Sequence, residues 1–442
     1  MSEKLQQILS LVDEYITDKH SKKTWNPGID WVQYAGPFYS SEEYIRAVKT
    51  LLGEWLVLGD EALKFEVKFP KLLGKQYGIL TNSGSSSNLL MMQALKSKKG
   101  HSFKDGTKVV VPAAGFPTTI NPILQSNFQA VFVDIELDTL NIDVDHLERV
   151  LSADPDIKII TFAHVLGNPP NMNRVMELVD KYNLIFLEDT CDALGSTYDG
   201  KKLGEFGLMS SVSFYPAHHI TMGEGGFVAT NDWNLNLILR SFREWGRGCY
   251  CVGKQANLLK DGTCKCRFSN WLPSLPNEIF DHKYVYDEIG YNMKPIELQA
   301  SLGLVQMEKI DTIKIKRKIN YNLLLNIFKK YEQFFHLPYA QNLSDPSWFA
   351  FPLTIRDGSP FKRSDICQFL ENNKIQTRPY FAGNILLQPA YKEYTGEADV
   401  KSWFPVATKA TTDTFFLGTS PVITPEQIAY IEVIVDTFMS KL

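Results

Sequence analysis

The sequence predicts an α/β subunit with a mainly parallel seven-stranded sheet and a smaller C-terminal α/β lobe. Three observations carry that expectation. Short β-rich runs recur between helical segments from Tyr77 to Thr230, the alternation expected of βαβ units. Runs such as Val109-Val110-Val111 and Lys158-Ile159-Ile160-Thr161-Phe162 are apolar on both parities, as strands covered by helices on each face must be. Beyond about residue 330 a second, shorter set of strand-like and helix-like segments follows.

In chain order, Leu5, Ile8, Leu9, Val12 and Ile16 form the stripe of an amphipathic helix among acids and amides. A basic start, an unbroken apolar segment and a small-residue cleavage site are missing there, so the stretch does not read as a secretory leader. No window approaches the roughly 18 apolar residues of a membrane span, and a cytoplasmic protein is expected. The seven strands are expected at Tyr77 to Thr81, Lys108 to Pro112, Ala130 to Val133, Ile157 to Phe162, Leu184 to Leu187, Ser211 to Tyr215 and Gly226 to Thr230. From Asn231 to Phe280 the pattern breaks into a segment without clear periodicity, and helical pattern resumes from Pro295 to Ile319. Trp348 to Ile355 is strand-like, and Lys362 to Asn373 and Pro425 to Leu442 are helix-like. The expected division is a large domain over 1–325, carrying a Cys-containing insertion at 245–280, and a small domain over 326–442.

Lys and Arg number 46 against 50 Asp and Glu, a net charge of −4. That balance gives no bulk attraction to nucleic acid or to an anionic membrane.

Three segments at strand ends carry the chemistry, and ligands on such sheets bind at the strands' carboxyl ends. Thr81-Asn82-Ser83-Gly84-Ser85-Ser86-Ser87-Asn88 follows a strand and precedes a helical pattern, where small residues and N–H groups at a helix start suit a phosphate; a Ser-rich helix cap reads the same way. Glu188-Asp189 ends an apolar strand with two carboxylates, able to hold a protonated heterocycle or to cap the next helix. Ser213 to Gly226 contains His218-His219 and Gly223-Glu224-Gly225-Gly226.

Together with VPAAGFPTTINPIL, FAHVLGNPPNM, FLEDTCDALGSTYDGKKLG, GYNMKPIELQA and QTRPYFAGN, these segments resemble the DegT/DnrJ/EryC/StrS family of sugar aminotransferases and dehydratases. The likeness runs from about Trp55 to the end. It implies the fold type I (aspartate aminotransferase-like) architecture and pyridoxal or pyridoxamine phosphate as cofactor. It assigns Gly84 and Ser85 to the phosphate turn, Ser213 to the phosphate, Phe116 to stacking on the ring and Asp189 to the ring nitrogen. Asn292 matches an asparagine that reaches the cofactor phosphate of a neighbouring subunit, which implies a homodimer.

The family's catalytic lysine lies five residues after the phosphate-binding serine, and here that position is His218. An imidazole moves protons near neutral pH but cannot form the Schiff base of a lysine amine. The cofactor is therefore expected as an untethered amine, with His218 as the base of a dehydration at C-3 of a nucleotide-activated 4-keto-6-deoxyhexose. Asp192 and Tyr215 stand where the aminotransferases commonly carry other residues, and both match the dehydratase branch. His219 is expected as a packing neighbour. His164 reads equally as a site residue or a structural one.

Six cysteines are present. Cys249 lies 58 residues after Cys191, and with Cys251 and Cys264 the set resembles the cluster-bearing branch of these dehydratases. The resemblance implies a 2Fe-2S cluster on Cys191, Cys249, Cys251 and Cys264, with Cys266 in reserve. It also implies CDP-4-keto-6-deoxyglucose as substrate and an NADH-dependent flavin and iron-sulfur reductase as electron donor. The chain has no G-x-G-x-x-G dinucleotide fingerprint after a strand. A zinc site on the four insertion cysteines is the alternative, although zinc favours C-x₂₋₄-C spacing. Cys367 reads as a buried thiol. Arg378 is expected to grip the substrate diphosphate; a surface ion pair is the plainer reading. A cluster-free dehydratase, an aminotransferase and an inert paralogue acting as a binding subunit stay open.

Overall fold

The computed structural model describes residues 2–249, 267–396 and 398–442. The β-rich runs form seven strands: β1 (Tyr77–Thr81), β2 (Lys108–Pro112), β3 (Gln129–Val133), β4 (Ile157–Ala163), β5 (Ile185–Asp189), β6 (Met209–Ser213) and β7 (Gly226–Thr230). They lie in one sheet in the order β1-β7-β6-β5-β4-β2-β3. β7 runs antiparallel to both neighbours, and the pairs from β6 through β3 are parallel.

Double-sided burial explains the unbroken apolar runs. Val110, Ile160, Phe162 and Phe186 pack in one core with the helices Val144–Ala153 and Met172–Lys181. Val109, Val111, Ile159 and Leu187, on the opposite parity, pack in another with Gly84–Lys96 and Trp233–Arg243. Each such side chain contributes about 1.5–3 kcal/mol of burial, so a charge at either parity would cost heavily.

The sixth strand ends two residues earlier than expected. After Ser213 the Tyr215 amide turns to the Ser213 hydroxyl at 3.3 Å, and Pro216 has no N–H to continue a ladder. The segment after Asn231 also differs: a helix spans Trp233–Arg243, capped where Asp232 Oδ1 accepts from the Asn234 and Leu235 amides at 2.7 and 3.1 Å. Leu235, Ile238, Leu239 and Phe242 bury its inner stripe. The pattern from Pro295 resolves into two helices, Glu297–Glu308 and Ile310–Lys329.

The smaller C-terminal sheet is antiparallel, in the order Phe335–His336, Ala350–Ile355, Thr414–Gly418, Arg378–Pro379. Its core includes Phe328, Phe351, Leu353, Phe415 and Ile428, and also Val32 from the N-terminal segment. Val32 is held by the Lys374 carbonyl at 2.7 Å and the Gln376 amide at 3.0 Å. Among the described residues, no helix is long and apolar enough to cross a membrane.

Candidate active site

At the carboxyl edge of the large sheet, against the C-terminal lobe, lies a cleft of about 530 Å³, within the usual size of small-molecule sites. Its floor comes from the turn between β1 and the helix Gly84–Lys96. Ser83 caps that helix, accepting from the Ser86 amide at 3.1 Å, which leaves the first-turn N–H groups at the open end. A side chain at Gly84 would put Cβ 2.5 Å from Ser213 Cβ and 3.1 Å from Cys191 Sγ. The absent side chain therefore lets the helix start press on the end of β6, gathering Ser85 and Ser213 at one anion cradle.

Asp189 ends β5 and lines the same cleft. Its Oδ2 accepts from Asn88 Nδ2 and from Thr119 Oγ1, both at 2.8 Å, and its Oδ1 accepts from the Cys191 amide at 3.1 Å. Ser211 Oγ donates to Asn88 Oδ1 at 2.5 Å and so fixes the amide's orientation. Phe116, half exposed, forms a wall. An anion cradle, a buried oriented carboxylate and an aromatic wall together fit a phosphorylated pyridine.

Among the described residues lining the cleft there is no lysine, and His218 projects from the turn after β6. Its Nδ1 lies 3.5 Å from Asp192 Oδ1, yet it is buried without a hydrogen bond. The contact is electrostatic at most, and burial favours the neutral form of both groups. It pushes the imidazole down to about 4, with Asp189 opposing and Arg317 assisting. Burial and the neighbouring Asp189 push the Asp192 carboxyl up to about 7. His218 is thus an unprotonated base at neutral pH. Tyr215 and Arg378 also line the cleft. The Arg378 guanidinium stacks 4.3 Å from the centre of the Tyr34 ring.

Other expected residues stand apart. His164 Nε2 pairs with Glu188 Oε1 at 3.0 Å in full burial, and Glu188 also accepts from the Gly204 and Gly207 amides; this network holds the sheet's far side. His219 Nε2 meets the Ser347 carbonyl at 2.7 Å, a packing role. Asn292 is exposed and does not line the cleft. Cys191 lines it as a free thiol, pushed well up by burial and by Asp189. Cys249 forms no disulfide among the described residues. Cys251, Cys264 and Cys266 lie outside the described residues, among which no group of three or more metal-binding side chains occurs. Burial pushes Cys367 up to about 11.

Sequence reasoning missed Asn88 and Thr119 as partners of Asp189, although Thr119 lies within VPAAGFPTTINPIL and Asn88 closes the segment read as a phosphate turn, one helical turn after Gly84. An amide on the helix face that carries the phosphate turn was the available signal. Tyr34 gave none, because only tertiary packing brings it to Arg378.

Sheet order and site define a fold type I α/β subunit of the aminotransferase kind. The chain belongs to the DegT/DnrJ/EryC1/StrS aminotransferase family, whose pattern matches residues 39–436. It is 41% identical over 433 residues, 96% of both chains, to lipopolysaccharide biosynthesis protein RfbH of Salmonella typhimurium. It is 37% identical to dTDP-4-dehydro-2,6-dideoxy-D-glucose 3-dehydratase of Saccharopolyspora spinosa, over 98% of this chain and 92% of that one. Among solved structures, E. coli GDP-4-keto-6-deoxy-D-mannose-3-dehydratase with bound hydrated PLP aligns at TM-score 0.79 and 27% identity, covering 92% of this chain and 99% of that one.

Proposed function

We propose that this protein is a pyridoxamine-phosphate-dependent 3-dehydratase of a nucleotide-activated 4-keto deoxyhexose. The observation that carries this reading is that His218 lines, from the turn after β6, a cleft whose described lining has no lysine. The two dehydratase relatives support it. When bound, the cofactor supplies an amine for the sugar ketone and a ring that accepts electron density. Gly84, Ser85 and Ser213 would hold its phosphate, Asp189 would pair with the ring nitrogen, and Phe116 would cover the ring. His218, with Nδ1 on the Asp192 side at 3.5 Å, is the group that would carry a proton from the bound amine to the departing C-3 hydroxyl. Arg378, oriented by Tyr34, grips the diphosphate.

The finer reading is a CDP-linked substrate and a 2Fe-2S cluster on Cys191, Cys249, Cys251 and Cys264, reduced by an NADH-dependent flavin and iron-sulfur reductase in the cytoplasm. The position of Cys191 in the cleft wall favours it. The cluster-free dehydratase is favoured by the burial and paired carboxylates that keep the same thiol protonated. Exposed Leu51, Leu52, Trp55 and Val57 suit a homodimer interface in which Asn292 serves the neighbouring site.

The test is His218→Asn. Pyridoxamine phosphate binding should persist while solvent exchange of its methylene proton is abolished; undiminished exchange removes His218 as the base. Iron content separates the two finer readings: iron in the parent that is lost in Cys251→Ala supports the cluster, and an iron-free parent supports the cluster-free dehydratase.

A further inference from the structure

A side chain that no motif contains helps tie the catalytic turn to the C-terminal lobe. Arg317, in the helix Ile310–Lys329, is 1% exposed. A buried guanidinium ordinarily meets a carboxylate, but this one hydrogen-bonds main-chain carbonyls. Its Nη2 donates to the Ala217 and His218 carbonyls at 3.1 and 3.2 Å. Its Nη1 donates to the Phe349 and Trp348 carbonyls at 2.9 and 3.3 Å, and reaches Thr419 Oγ1 at 3.4 Å. The Phe349 ring lies 5.3 Å from the His218 ring, so the fork joins two segments that both bear on one imidazole.

We propose that Arg317 is a positioning residue for His218: its planar fork pins the Ala217–His218 main chain to the Trp348–Phe349 strand entry and fixes where the imidazole stands in the cleft. This rests on the reading of His218 as the base. Five donor contacts in fixed geometry are what a lysine ammonium cannot reproduce.

The experiment uses the full chain with Arg317→Lys and Arg317→Met, with His218→Asn to assign the His218 ring signals by NMR. In cofactor-free protein, Arg317→Lys should shift the His218 ring resonances and leave those of His146 and His336 in place. Arg317→Met, which removes every donor of the fork, should shift them further. With pyridoxamine phosphate, Arg317→Lys should slow methylene exchange on the order of 10²-fold, the effect of a misplaced base, at unchanged cofactor affinity. Unmoved His218 resonances in Arg317→Lys, or exchange and affinity lost in parallel, would overturn the proposal. Should Arg317→Met fail to fold, the Lys variant alone decides. Absence of exchange in the parent protein would remove the proposed reaction, while the cofactor-free spectra would still test the role of Arg317.

Discussion

Replacing Gly84 by Ala sets two opposing effects against each other. Gly84 lies outside the left-handed region, so alanine meets no backbone strain and brings a helix-propensity gain of up to about 1 kcal/mol. Against this, the new Cβ would sit 2.5 Å from Ser213 Cβ and 3.0 Å from Ser213 Cα, where ordinary contact is 3.4–4 Å. Relief requires the helix start and the end of β6 to part by about 1 Å, and overpacking of that kind costs about 1–3 kcal/mol. Folding stability should therefore fall only slightly. Cofactor binding should fall more, because the same displacement opens the phosphate cradle. Losing one charge-assisted bond, at about 1.5–3 kcal/mol, weakens affinity roughly ten- to hundredfold. The assay is calorimetric titration with pyridoxamine phosphate, with phosphate-free pyridoxamine as control and thermal unfolding in parallel. The phosphate ester should lose affinity and the control should not. Parental affinity for the phosphate ester in a folded Gly84→Ala protein would refute the cradle.

Further outcomes follow from buried groups. Thr119→Val removes one of the two side-chain donors on Asp189 Oδ2; cofactor affinity should drop about tenfold with the fold intact, read by the same titration. Glu66 is buried against Arg243 at 2.6 Å and Arg240 at 2.8 Å, so Glu66→Ala should cost about 3–5 kcal/mol in urea unfolding at pH 7. Burial alone would raise the Glu66 carboxyl, but the two guanidinium groups hold it below its ordinary value of 4.5. Its contribution is therefore full above that value and lost as pH falls through the lower folded one, and the parent protein should lose stability in acid more steeply than the variant. Asp192 has the opposite sign. Its carboxyl, raised from 3.8 to about 7, contributes fully below the ordinary value and loses that contribution as pH rises through about 7. Asp192→Asn should remove a few kcal/mol of this dependence, on the order of 1.4 kcal/mol for each tenfold change in proton affinity, measured by urea unfolding between pH 4 and 8.

The large sheet was legible because double-sided burial leaves a local mark: β1, β2 and β7 fall where their apolar runs predict them. The sixth strand was misplaced because Phe214 and Tyr215 have strand-forming side chains while Pro216 stops the ladder behind them. The helix Trp233–Arg243 was overlooked although its Asp232 cap and its stripe at Leu235, Ile238, Leu239 and Phe242 are local signals; the surrounding Asn and Trp residues masked the period. Gly84, Ser85, Phe116, Asp189, Asp192, Ser213, Tyr215, His218 and Arg378 come together in the cleft because the family's motifs mark strand ends. Arg317 and Tyr34 could not be read that way. Arg317 sits mid-helix and acts on carbonyl groups about 30 and 100 residues distant in sequence, and Tyr34 meets Arg378 only through the packing of the N-terminal segment on the small lobe.

The most direct measurement is borohydride reduction of the protein mixed with one equivalent of pyridoxal phosphate, followed by intact and peptide mass spectrometry. With an imidazole at position 218, the polypeptide mass should stay unchanged and the coenzyme should be recovered free. One equivalent of pyridoxyl group fixed to a residue of the cleft would contradict the account.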